Sequence, residues 1–162
     1  MANHYSTTIK IIGHEADVTE VMGYIEETNF DFNKIIPLPK ELLDLDSKND
    51  NESISKVLDW RYANWGTRND ALDVEVEGNG LYYETLNGAA IPILEHISSS
   101  YPNVKIEFSF IDRQNLEGYD GAIQAGEVIW SEYHDYYPHD DDDVPYQSPS
   151  SPQALTDDDL PF

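Results

Sequence analysis

Apolar and polar residues alternate along this chain with two different periods, and the changes of period mark its elements. Tyr5-Ser6-Thr7-Thr8-Ile9-Lys10-Ile11-Ile12 is rich in β-branched residues and reads as a first strand. After Gly13, apolar residues fall at Val18, Val21, Met22 and Ile25, a helical spacing that predicts a helix over 17–28. Phe30 to Pro39 carries Pro37 and Pro39 and is expected to stay extended. Residues 44–53 are rich in Asp, Asn and Ser and read as an exposed loop. A second helix is predicted from Ser53 to Trp65, with Ile54, Val57 and Leu58 on one side and Gly66 as its C-terminal cap.

The period then returns to two. Leu72 to Glu77 alternates apolar and acidic residues, and Gly78-Asn79-Gly80 joins it as a tight turn to a strand from Leu81 to Thr85. Pro92 opens a helix with Ile93, Leu94, Ile97 and Tyr101 facing inward. Val104 to Phe110 is a further alternating strand, and Ala122 to Tyr133 reads as a last edge strand after a Gly-rich connection. This order predicts an α+β domain on the ferredoxin-like βαββαβ plan, an antiparallel sheet with helices on one face. A helical insertion follows its first helix. The domain is expected over 1–133, and 134–162, which has little to bury, is expected to be a disordered acidic tail.

Composition narrows the function classes. Apolar residues make up 40% of the 162, enough for a core, and cysteine is absent, which excludes disulfides and thiolate metal sites. No long apolar run and no signal-like N-terminus are present, so a soluble cytoplasmic protein without membrane contact is expected. Net charge is −23. Residues 1–134 hold 24 acids and all 9 bases, and 135–162 hold 8 acids and no base. Wholesale attraction to a phosphate backbone is therefore disfavoured; the charge suits basic protein partners or imitation of DNA.

The final residues are the most informative. Asp157-Asp158-Asp159-Leu160-Pro161-Phe162, after Ala154-Leu155-Thr156, puts three carboxylates beside an aromatic ring that shares its residue with the α-carboxylate. A partner with a basic, apolar pocket could bury the ring, worth about 1.5–3 kcal/mol, and hold the carboxylate with Arg or Lys. Pro161 lowers the ordering cost by fixing one backbone angle. This ending resembles the acidic tip of bacterial single-stranded DNA-binding proteins, typically Asp-Asp-Asp-Ile-Pro-Phe, which is the docking handle for replication, recombination and repair proteins. The resemblance makes 154–162 a candidate docking tip; the bland alternative is a solvated acidic tail.

The body carries a second resemblance. Phe30 to Pro39, Trp60 to Ala71 with Asn64-Trp65-Gly66-Thr67 at its centre, Ile91-Pro92 and Tyr101-Pro102 look like the YubB ferredoxin-like family of plasmids and phages, over roughly residues 5–130. Arg68-Asn69 stands where members often have Lys-Trp. The resemblance implies a ferredoxin-like fold and a mobile-element origin, but no chemistry.

Aromatics and cations interleave in one place, Trp60-Arg61-Tyr62-Ala63-Asn64-Trp65-Gly66-Thr67-Arg68. Rings can stack bases while Arg contacts phosphate, which makes Lys34, Lys56, Trp60, Arg61, Trp65 and Arg68 candidate contacts to single-stranded DNA. The alternative is that Trp60 and Trp65 pack the helix on the sheet while Asn64 and Thr67 cap its end. An RNA-recognition use of the open sheet face is opposed by Asp73, Glu75, Glu77 and Glu107. His134, His139 and Asp140–Asp143 could attract cations but read as a solvated segment. No catalytic motif is present, and neither an enzyme nor a cofactor is expected.

The expectation is a non-enzymatic protein of single-stranded DNA metabolism, docking by its tip onto host or phage replication, recombination or repair proteins. Its rival is an acidic DNA-mimic or tip-mimic inhibitor of a host defence or repair enzyme. A plain assembly protein is a third reading.

Overall fold

The computed structural model of the chain describes residues 3–46 and 48–136. Its elements run β1 (His4–Ile12), α1 (Glu15–Thr28), α2 (Phe32–Ile35), α3 (Lys40–Asp46), α4 (Asn51–Trp65), β2 (Leu72–Glu77) and β3 (Gly80–Leu86). They continue with α5 (Ile91–Ser100), β4 (Lys105–Asp112), β5 (Glu117–Gln124) and β6 (Glu127–Asp135). The strands form one antiparallel sheet in the order β2-β3-β1-β4-β5-β6. No helix among the described residues is long and apolar enough to cross a membrane.

The two-residue period sorts the sheet into faces. β1 buries Thr7, Ile9 and Ile11 and turns Ser6, Thr8 and Lys10 the other way. Ile9 lies opposite Leu81 on β3 and Phe108 on β4, and Ile11 opposite Ile106. These side chains share one core with Val21 and Ile25 of α1, Val57 and Trp65 of α4, and Ile93, Leu94 and Ile97 of α5. The helices therefore cover one face of the sheet, the arrangement that buries an apolar stripe from each element.

Four local expectations need correction. Phe30 to Pro39 is not extended throughout: Asp31 caps the N-terminus of α2 by accepting from the Asn33 N–H at 2.9 Å. The prolines act only on what precedes them directly, and Ile36 is extended, with φ −130° and ψ 92°. The polar run 44–53 is a loop only in its middle. α3 reaches Asp46, and α4 starts at Asn51 because Asp50 accepts from the Ser53 N–H at 2.8 Å. Asp and Ser here are capping residues, a role composition does not separate from loop.

The last strand is two strands. Gly118 and Gly121 lie inside β5, not in a connection before it. A side chain at Gly121 would meet the Phe108 ring at 2.5 Å and the Trp130 carbonyl at 2.6 Å, so the glycine permits close packing rather than a bend. The turn is Ala125-Gly126, both left-handed, with φ 54° and 85°, the backbone a two-residue hairpin asks for. β6 then continues through Asp135, which places His134 in the sheet and not in a tail. His134 Nε2 lies 3.1 Å from Asp120 Oδ2.

Within the core, Phe30, Phe32, Trp65 and Tyr83 form a buried aromatic cluster. Ring centroids are 5.4 Å apart for Phe30–Phe32, 4.8 Å for Phe30–Tyr83 and 5.7 Å for Phe32–Trp65. The polar atoms of this cluster are satisfied: Trp65 Nε1 donates to the Ile36 carbonyl at 2.8 Å, and Tyr83 Oη to the Ala89 carbonyl at 2.9 Å. The expected end of α4 is present: Gly66 is left-handed at φ 80° and its N–H reaches the Tyr62 carbonyl. Thr67 instead ties the following loop to β3 through the Leu86 carbonyl, at 2.6 Å.

Buried Asp112 organises this same end of the sheet: it pairs with Tyr5 on β1, next to His4, which pairs with Leu86. It accepts from Asn3 Nδ2 at 3.0 Å, Asn115 Nδ2 at 2.9 Å and the Gln114 N–H at 3.0 Å. Burial opposes its ionisation, but the bonds from the Asn115 N–H and amide, Gln114 and Asn3 outweigh that and hold its carboxyl below the ordinary aspartate value.

Phe32→Ala is expected to cost about 3–5 kcal/mol by denaturant unfolding, the range for emptying a large ring from a core. Asp112→Ala should cost about 2–3 kcal/mol near neutral pH, as charged hydrogen bonds are lost. A lowered native pKa stabilises above the unfolded value and loses that stabilisation as pH falls through the native one. The gap between wild type and Asp112→Ala should therefore close below about pH 4. Unfolding curves at stepped pH check this, and a pH-independent gap would refute it.

Candidate interaction surfaces

The helical segment flagged by its aromatics and cations splits between core and surface. Trp65 is 2% exposed, so its ring serves the core and is not a free platform for a base. Trp60 is half-buried and meets Trp65 edge-on at 5.9 Å. The Arg61 guanidinium sits 5.4 Å from the Trp65 ring centroid, and its Nη1 donates to the Arg68 carbonyl at 3.4 Å. Arg68 in turn lies over the Tyr62 ring at 5.7 Å. Thus Trp60, Arg61, Trp65 and Arg68 come together. Lys56 is exposed and pairs with Glu52 at 3.7 Å. Lys34 lies exposed on α2, with no hydrogen bond, ion pair or ring contact to this cluster among the described residues. The docking tip, Asp157, Asp158, Asp159, Leu160, Pro161 and Phe162, lies outside the described residues, as do His139 and Asp140–Asp143. Among the described residues no group of three or more His, Asp or Glu is placed to hold a metal.

Sequence reading missed an aromatic ladder on the helix side of the sheet, toward the end held by Asp112. Tyr5 on β1, Phe110 on β4, Tyr119 on β5 and Tyr133 on β6 succeed one another across four neighbouring strands. Their centroids are 5.9, 5.7 and 5.5 Å apart. Tyr119 and Tyr133 are 40% and 50% exposed. The signal in the sequence was only an aromatic in each strand; the register that aligns them arises from pairing. Tyr133 Oη donates to Glu117 Oε1 at 2.8 Å. That bond, with smaller contributions from burial and from the Glu117 and Asp135 charges, pushes the phenol up to about 12. Burial, then the Asp112 carboxylate, raises Tyr5 as well, and Tyr62 of α4 contributes to the same shift. Chemically the ladder is a shelf for flat or apolar groups.

The open face of the sheet differs in character. It presents Glu75 and Tyr82 side by side, then Lys10, Glu107, Asp120 and Trp130 on successive strands. A depression of about 290 Å³ lies between Lys10 and Trp130, over Ser109 and Asp120. A second of about 210 Å³ lies on the other side of Thr8 and Lys10, toward Glu75 and Glu77. Several of its cations are compensated: Lys105 pairs with Glu107 and Arg113 with Glu84, each at 3.5 Å. Such a face attracts cationic groups rather than phosphate.

Compared with known protein families, characterised proteins and solved structures, the chain has no match.

Glu117→Gln should bring the Tyr133 phenol down from about 12 toward the ordinary tyrosine value near 10. A neutral amide no longer repels the phenolate. Ring-carbon NMR titration of Tyr133 reads this directly, and an unmoved titration would remove Glu117 as the cause.

Proposed function

We propose that this chain is a non-enzymatic docking protein of single-stranded DNA metabolism. Its tip engages replication, recombination or repair proteins through a basic, apolar pocket. The observation that carries the reading is the run Asp157-Asp158-Asp159-Leu160-Pro161-Phe162, in which an acidic approach, a rigid proline and a buriable ring stand in sequence. The folded body supports it as a carrier. The order β2-β3-β1-β4, antiparallel throughout, is consistent with a ferredoxin-like frame extended by the β5–β6 hairpin, and so with the plasmid and phage family that the body resembles. Contact with single-stranded DNA, on this reading, runs through Arg61 and Arg68 beside Tyr62 and the aromatic ladder. Lys34 and Lys56 are outlying cations, Trp60 a flank, and Trp65 a support.

A second reading is favoured by one observation. The open face carries Glu75 and Glu77 on the edge strand β2, and Glu107, Asp120 and Glu132 on the successive strands β4, β5 and β6, which lie about 4.8 Å apart, an array of negative charge suited to a DNA-binding cleft. On this reading the protein is a DNA-mimic or tip-mimic inhibitor of a defence or repair enzyme.

Two measurements separate these readings. Immobilised full-length chain should capture partners from a bacterial lysate that a version lacking 154–162 does not. Phe162→Ala should weaken capture about 10- to 100-fold, the worth of one buried ring. Identical partner sets would defeat the docking reading. Retardation of a labelled single-stranded oligonucleotide, falling steeply with salt, supports the first reading; no retardation, with competition against DNA for the captured enzyme, supports the inhibitor.

A further inference from the structure

We infer that the outer edge of β6 is a docking strand, which accepts an extended basic segment of a partner protein as a seventh strand of the sheet. This stands independently of the tip. The two edges of the sheet are treated differently. β2 is blunted: its pairing with β3 shifts between Leu72 and Glu75, Asp73 is left-handed at φ 50°, and acids alternate along it. Bulges and charges are how edges are closed to further pairing. β6 has one irregularity, close to its turn, between the pairs Ala122–Trp130 and Ile123–Val128; from Trp130 to Asp135 its pairing is regular.

Among the described residues, the outer side of that stretch faces no further strand. The Tyr136 N–H donates inward to the Leu116 carbonyl. Alternation along an antiparallel ladder then turns the N–H and C=O of Ser131 and Tyr133 away from β5. The side chains along this edge, Val128, Ile129, Trp130 and Tyr133, are exposed apolar groups.

Charge selects the occupant. Residues 117–135 contain five acids and no Lys or Arg. On the open face, Glu132 lies beside Asp120 and Trp130 beside Ala122. An incoming strand sets alternate side chains on the two faces. Arg or Lys on the open face meets Glu132 and the face of Trp130; apolar residues on the other face meet Tyr133. A second copy of this chain would bring carboxylates against carboxylates, so a basic partner fits better. Backbone bonds would supply affinity and the alternating side chains specificity.

The test uses the full-length chain and a capped hexapeptide of alternating arginine and valine. Three results are expected together. The peptide binds; its exactly charge-matched but fully N-methylated form binds at least tenfold more weakly; and amide exchange slows at Ser131 and Tyr133. Glu132→Lys should weaken binding at least tenfold without unfolding the chain. Equal binding of the N-methylated peptide would mean charge attraction alone, and would overturn the inference. So would slowed exchange confined to β2, no binding at millimolar peptide, or a dimer of the chain that protects the same two amides.

Discussion

The architecture depends on one contact, the packing of Trp65 against Phe32 within the aromatic cluster that also holds Phe30 and Tyr83. It joins three parts of the chain that are distant in sequence: the insertion after α1, the end of α4, and β3. The Trp65 N–H on the Ile36 carbonyl fixes the insertion to α4. Gly66 then lets the chain leave the helix against Pro92, where a side chain would meet Pro92 Cδ at 2.5 Å. Everything exposed at that corner, Arg61, Tyr62 and Arg68, takes its position from rings that are themselves out of sight.

That dependence explains the division of labour in a segment that looked uniform. Alternating aromatics and cations along a helix cannot all face outward, because successive residues are about 100° apart around its axis. Trp65 falls inward and becomes structural. Arg61 keeps its charge at the rim while lying on the Trp65 ring, and Tyr62 is left on the surface at 51% exposure. The surface chemistry is therefore carried by Arg61 and Tyr62, between the tryptophans, and by Arg68 beyond them, which lies over the Tyr62 ring.

The sheet distributes its remaining chemistry by face and by end. Helices bury the part of one face that holds Ile9, Ile11, Leu81 and Ile106, and leave Tyr119 and Tyr133 in the open near the Asp112 end. The other face gathers carboxylates around Lys10 and Trp130. A body with so large a negative charge repels itself in the folded state. Asp112 is accommodated by hydrogen bonds from Asn3, Gln114 and Asn115, while Glu84 near the same end pairs with Arg113.

What the sequence determined alone was what depends on near neighbours. Periodicity placed β1, α1, α4, β2, β3, α5 and β4, because each needs only a repeating stripe of apolar residues. The tip hexapeptide, too, is legible from order alone. It did not disclose α3, the caps at Asp31 and Asp50, or the hairpin inside 117–135, because Asp, Ser and Gly serve loops, caps and strands alike until a partner settles which. Only the tertiary structure decided that Trp65 is buried, that four aromatics from four strands align in a ladder, and that the expected edge strand is a hairpin whose second strand, β6, lies outermost. Those properties belong to pairing register and to strand order, and both are set by contacts between residues too far apart along the chain for any local pattern to record.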